Sequence, residues 1–132
     1  MLFAGFIEHR GKKIVFLDIH GSRNVEESIH TGDQAKAIIF TQAPKSVLLL
    51  TDVSGTHYSQ QGFDYMKQFS VDITPYVKAS AMLGIDGVKR IVYRFMIKLS
   101  GRNIKLFDTV EAAKDWLAEQ DYSWHEGNDH AV

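Results

Sequence analysis

Apolar and polar positions along the chain fall into two rhythms, period two and period three to four. Residues 2–9 and 12–19 alternate and predict two strands, joined by a tight turn at Arg10 and Gly11. In the second strand Val15, Leu17 and Ile19 share one face, and Ile14, Phe16 and Asp18 the other. The rest of the chain is organised around residues 46–55, SVLLLTDVSG. Val47, Leu48, Leu49 and Leu50 are continuously apolar, which predicts a strand covered on both faces. Its character then changes at once to Thr51, Asp52, Val53, Ser54 and Gly55. That places polar groups and a turn at the carboxyl end, where open α/β sheets build their sites. Residues 79–85 and 104–107 predict two more strands.

Helical spacing fills the intervals. Over 24–31 the signal is weak, from Val25 and Ile29 alone, and Gly32 and Asp33 interrupt or restart it. Asp33 is the expected N-cap of a helix running to Gln42, with Ala35, Ile38 and Ile39 inside, and Pro44 stops it. Phe63, Met66 and Phe69 predict a helix from Ser59 or Gln60 to Phe69; Pro75 excludes a regular helix through that point. The clearest helix covers 88–99, with Val88, Ile91, Val92, Phe95 and Leu99 as its inner stripe and Gly101 as its stop signal. Thr109 caps a last helix from 110 to 119, with Ala112, Ala113, Trp116 and Leu117 inside. The order β-β-α-β-α-β-α-β-α predicts a single α/β domain over 1–119. Its mostly parallel sheet has about five strands, an N-terminal antiparallel hairpin at one edge, and helices on both faces. Residues 120–132 form a polar tail, apart from Tyr122 and Trp124, that is expected to fray.

Composition acts mainly by exclusion. The chain has 132 residues, 45% of them apolar and 23% charged, which fits one soluble domain with its own core. A net charge of −1 recruits neither nucleic acid nor an anionic membrane. The absence of cysteine excludes disulfides and thiolate metal sites. The opening MLFAGFI lacks a basic leader and runs directly into Glu8, His9 and Arg10, so no signal peptide is expected. No apolar run approaches the ~20 residues of a membrane span. The expectation is a cytoplasmic protein with no integral membrane segment and no cofactor.

Three stretches carry a resemblance: VLLLTDVSG, YVKASAMLGIDGVKRIV and GRNIKLFDTVEAAKDWL. Together they resemble the SpoIIAA-like proteins, relatives of the STAS domain whose prototype is an anti-sigma-factor antagonist. The most specific pieces are 50–55, 81–90 and 107–117. The resemblance implies a central sheet of four or five strands flanked by four helices, a fold also found in lipid-carrying domains of the Sec14 type. It implies little chemistry. STAS antagonists carry a phosphorylatable serine in a D-S-[ST]-G segment opening the helix after the central strand. Here the segment is Tyr58, Ser59, Gln60, Gln61, Gly62, Phe63. Ser59 and Gly62 match; Tyr58 replaces the acidic residue, and the second hydroxyl is absent.

Strand direction brings His20, Asp52, Ser54, His57 and Asp86 toward one edge of the sheet. Serine, histidine and aspartate have the chemistry of nucleophile, base and orienter, but no G-x-S-x-G elbow is present. Turns and caps account for the same residue types, so a hydrolase on Ser54, His57 and Asp52 ranks last. Six histidines include no H-x-x-x-H pair on a helix. His9 and His20 face each other only if the hairpin register allows, and a metal site needs histidine and carboxylates converging from loops; none is expected. Lys78, Lys89, Arg90, Arg94, Lys98, Arg102 and Lys105 form a basic segment followed by an acidic one. Arg90, Arg94 and Lys98 make one stripe, which is either a solvated face or a dock for an acidic partner or a phosphate-bearing ligand. No aromatic-basic motif points to nucleic acid.

Tyr93, Met96 and Ile97 widen the apolar arc of the 88–99 helix, and the helix carrying Phe63, Tyr65, Met66 and Phe69 is aromatic-rich. Core packing, a homodimer interface or an apolar pocket would each use them. The sequence therefore predicts a non-catalytic regulatory or protein-interaction module, expected to be a homodimer with a regulatory protein partner. Its recognition loop is Asp52, Ser54, His57, Tyr58 and Ser59, with Arg90, Arg94 and Lys98 as the electrostatic part. The alternative is a small apolar-ligand or lipid-binding protein of Sec14-like fold, built on Phe63, Met66, Phe69, Tyr93, Met96 and Ile97.

Overall fold

A computed structural model describes the backbone of residues 2–130; the side chains at 88, 92, 95, 96, 99, 100 and 121–130 lie outside the described set. The run Val47–Asp52 forms the central strand, β3 in chain order, and every residue of it is buried. Leu48 and Leu50 pack into one apolar cluster, while Val47 and Leu49 pack into another. This is why the run shows no polar alternation. Strand β2 (Lys12–Asp18) lies parallel beside β3, with Val15 opposite Leu49 and Asp18 opposite Asp52. Strand β1 (Phe3–His9) pairs antiparallel along the outer side of β2. The turn between them puts Arg10 at φ 54° and Gly11 at φ 75°, the left-handed pair that hairpin twist favours. Strands β4 (Val77–Leu83) and β5 (Ile104–Phe107) complete a five-stranded sheet in the sequential order β1-β2-β3-β4-β5, parallel from β2 onward.

Helices α1 (Val25–Ile39), α2 (Gln60–Ile73) and α3 (Gly87–Ser100) make the crossovers after β2, β3 and β4. Ala35, Ile39, Met66, Phe69, Ile73 and Tyr93 join Val15, Leu17, Val47 and Leu49 in one core. Helix α4 (Val110–His130) covers the opposite face, with Ala113 and Leu117 on Ile14, Leu48, Leu50, Ala79, Ala81 and Leu83. Asp115 on α4 meets His9 Nε2 at 2.6 Å and Arg10 at 3.2 Å. The hydrogen bond to His9, aided by the charge of Arg10, holds the Asp115 carboxyl below its ordinary range. Arg102 donates to Ser70 Oγ at 2.8 Å and to Ser80 Oγ at 3.3 Å. Burial lowers its guanidinium to about 10.

The fold corrects several boundaries. Helix α1 runs unbroken through Gly32 and Asp33, so Asp33 is not an N-cap. Asn24 is, accepting from Glu27 N at 3.1 Å. A Cβ at Gly32 would lie 2.6 Å from the Tyr65 hydroxyl oxygen, so the glycine makes room for that ring instead of ending the helix. The Tyr65 hydroxyl donates to Asp33 Oδ1 at 2.7 Å. Helix α2 starts as expected, with Ser59 accepting from Gly62 N at 3.0 Å, but continues a turn past Phe69 to Ile73. Strand β4 begins two residues earlier than the predicted 79. In α3 Ile91 is 74% exposed, so it is no part of the inner stripe. Lys89 and Tyr93 are buried there, and Ile97 packs on the same core; Val88, Val92, Phe95 and Leu99 lie outside the described side chains. In α4 Ala112 is exposed beside buried Ala113 and Leu117. That helix passes the predicted end near 119, and the side chains of Tyr122 and Trp124 lie outside the described residues.

Candidate functional site

The carboxyl ends of β2 and β3 are stitched together by their loops. Ile19 N donates to Asp52 O at 3.0 Å and Gly21 N to Ser54 O at 2.7 Å. The loop after β4 closes on the same place. Gly84 has φ 86°, and a Cβ there would lie 2.3 Å from Ser54 N, so only glycine fits. Above these strand ends α1, α2 and the start of α3 leave a cavity of about 260 Å³. Leu17, Ile19 and Val53 come from the strands and their extensions, Val25, Ile29 and Gly32 from α1, and Phe63, Tyr65 and Met66 from α2. Arg23, His57, Tyr58 and Ser59 belong to the loops that border it.

Aromatic packing sets the wall between α2 and α3. Phe63 meets Tyr93 edge-on, with centroids 5.7 Å apart, and meets Tyr58 at 6.1 Å. Burial, with a smaller contribution from Tyr58, raises the Tyr93 hydroxyl to about 12. Burial and the hydrogen bond to Asp33 raise that of Tyr65 as well. Lys89, one turn before Tyr93, is 8% exposed and lines the cavity. Its Nζ donates to Val53 O at 3.3 Å and Thr56 O at 3.1 Å, pinning α3 to the loop after β3. At the mouth, Arg23 donates to His57 Nε2 at 3.2 Å.

Two sets of residues that the sequence treats separately therefore meet. His57, Tyr58 and Ser59 of the recognition loop share the cavity with Phe63, Met66 and Tyr93 of the apolar set. Among the described side chains, the other members do not reach it. Asp52 is buried at the strand end, where its Oδ1 accepts from Ser54 N at 2.9 Å. Phe69 lies in the core beneath, against Tyr65, and Ile97 packs on the same core. Met96 is outside the described side chains. Arg90, Arg94 and Lys98 are exposed on α3, together with Ile91. The serine–histidine–aspartate relay is not assembled, because His57 Nε2 faces Arg23 and the Asp52 carboxylate holds backbone.

The hairpin register sets His9 opposite Lys12 at the turn, while His20 follows β2 at its other end, so the two do not face each other. His20 instead meets Asp18, with Nδ1 and Oδ1 2.6 Å apart. Asp18, His20 and Asp52 bring one ligand atom each within 4.8 Å of one another. These are the residues that could hold a divalent cation. Their contacts with each other and with Ser54 N also account for them as strand-end turn chemistry. Sequence reasoning missed Arg23 and the α1 wall, and it counted Lys89 only as part of the basic segment. The available signal was spacing: Lys89 stands four residues before Tyr93 and eight before Ile97, on one helix face.

No protein-family model matches the sequence, and comparison with curated proteins gives no match. A solved structure does match in shape. It is an uncharacterised protein of the DUF3478 family with a SpoIIAA-like fold, from Shewanella loihica PV-4. The TM-score is 0.71 at 14% sequence identity, over 88% of this chain and 93% of that one. Among the described residues no helix is long and apolar enough to cross a membrane. By that likeness over 88% of its length the chain, with its sequential five-stranded sheet and antiparallel first strand, has a SpoIIAA-like fold.

Proposed function

We propose that the chain is a non-catalytic regulatory domain that recognises a small, largely apolar molecule in the cavity between α1, α2 and α3. One observation carries this: His57, Tyr58 and Ser59 of the recognition loop border the same cavity as Phe63, Met66 and Tyr93 of the apolar set. A volume of about 260 Å³ falls just below the ~300–1,000 Å³ of drug-sized sites. It suits a compact ligand and is too small for a two-chain lipid. Arg23 on His57 and backbone on Asp52 leave those side chains in binding and structural roles, which supports a domain without catalysis. Helix α3 joins the two halves of the function. Its Lys89 and Tyr93 line the cavity, and its Arg90, Arg94 and Lys98 face solvent for an acidic protein partner.

Methyl-selective NMR with 1-octanol as the probe tests the cavity. The Met66 methyl is expected to shift saturably, while Val71, 66% exposed on the same helix, stays unmoved. An unshifted Met66 at the solubility limits of both 1-octanol and octanoate would overturn the proposal.

A further inference from the structure

We infer that this cavity is selective for a small organic anion, a carboxylate on an apolar body of about eight carbons; the inference rests on the cavity being a ligand site. Lys89 is the centre of the case. Its ammonium has three protons to donate, and its two acceptors are the neutral carbonyls of Val53 and Thr56. Among the described residues it forms no ion pair, although only 8% of it is exposed. A buried cation without a counter-ion is costly, and a bound anion removes much of that cost.

The surroundings have the same sign. The residues lining the cavity include Lys89 and Arg23 and, among the described residues, no aspartate or glutamate. Helix α2 opens onto the cavity at Ser59 and carries no acidic side chain in its first turn. Its partial positive end is therefore not neutralised from within the helix. The floor, by contrast, is Leu17, Ile19 and Val53, which offer nothing to a polar tail. A cavity of about 260 Å³ has the volume of about nine waters at ~30 Å³ each, close to the size of a ten-heavy-atom acid.

The test compares octanoate, 1-octanol and octylamine on the intact protein, followed by calorimetry and the Met66 methyl signal. Octanoate is expected to bind about tenfold or more tightly than 1-octanol, as a charge-assisted contact implies, and octylamine more weakly than either. In Lys89→Met the octanoate advantage is expected to fall to about threefold or less. If 1-octanol binds wild-type protein as tightly as octanoate, the anion preference is wrong while the cavity as a ligand site stands. If none of the three probes moves Met66, the cavity is not such a site and both proposals fall. The wild-type comparison decides the matter even if Lys89→Met does not fold.

Discussion

Gly32→Ala sets two effects of similar size against each other in the middle of α1. Alanine is the better helix former by about 0.8–1 kcal/mol, so on propensity alone the substitution stabilises. Its Cβ, however, would lie 2.6 Å from the Tyr65 hydroxyl oxygen and 2.7 Å from Cε2. Carbon contacts rest near ~3.5–4.0 Å, so the ring edge must withdraw by roughly an ångström. That ring is not free to swing, because its hydroxyl is bonded to Asp33 at 2.7 Å and its face lies against Phe69, with centroids 6.0 Å apart. Losing the exposed hydrogen bond costs about 1 kcal/mol, and an off-rotamer ring about 0.5–1.5 kcal/mol. The net expectation is a loss of about 0.5–1.5 kcal/mol. In a Tyr65→Ala background the obstacle is gone, and the same change should stabilise by nearly the full helix-propensity difference. Urea unfolding of the four proteins closes a double-mutant cycle with a coupling of about 2 kcal/mol. If Gly32→Ala stabilises wild type by about 1 kcal/mol, Tyr65 does not sit over Gly32, and that wall of the cavity is misplaced.

Leu50, fully buried in β3 beneath α4, should cost about 2–5 kcal/mol when cut to alanine, read as a lower urea midpoint. Ser59→Ala removes the N-cap of α2 and should cost about 1 kcal/mol; an unchanged midpoint would show the cap is not used. Asp115 is held below its ordinary value of 3.8 by His9 first and Arg10 second. A lowered carboxyl stabilises the fold above its unfolded value, and that contribution disappears as pH falls from there through the folded value. Asp115→Asn should therefore lower stability at neutral pH and flatten its decline below that value. An acid limb parallel to wild type in thermal melts would refute the contact.

Much of the architecture was legible because burial writes itself into periodicity. The unbroken run at Val47 to Leu50 revealed a strand covered on both faces, and the alternation in β2 sorted Val15, Leu17 and Ile19 from Ile14 and Phe16, which pack into opposite cores. Failures came where a tertiary contact reversed a local rule. Gly32 reads as a helix stop, but a ring 33 residues further on needs its missing side chain. Ile91 reads as core, yet α3 turns Lys89 and Tyr93 inward instead, because Lys89 finds two carbonyls at the end of β3. The site was half legible for the same reason. Loop and aromatic residues could be listed from composition, but only the approach of α1 to α2 places them round one space. A lysine inside an apolar wall contradicts every hydropathy pattern.

Helix α4 is the last described element, and among the described residues it is the helix that covers the face formed by Ile14, Leu48, Leu50, Ala79, Ala81 and Leu83. During synthesis the five strands and the other three helices therefore emerge before that face has its cover. Until α4 leaves the ribosome, the nascent sheet presents a contiguous apolar surface of the kind that binds chaperones or other chains. A chain stalled between β5 and α4 would hold its whole sheet with one face uncovered. Docking of α4 thus separates an aggregation-prone, half-covered sheet from a closed domain.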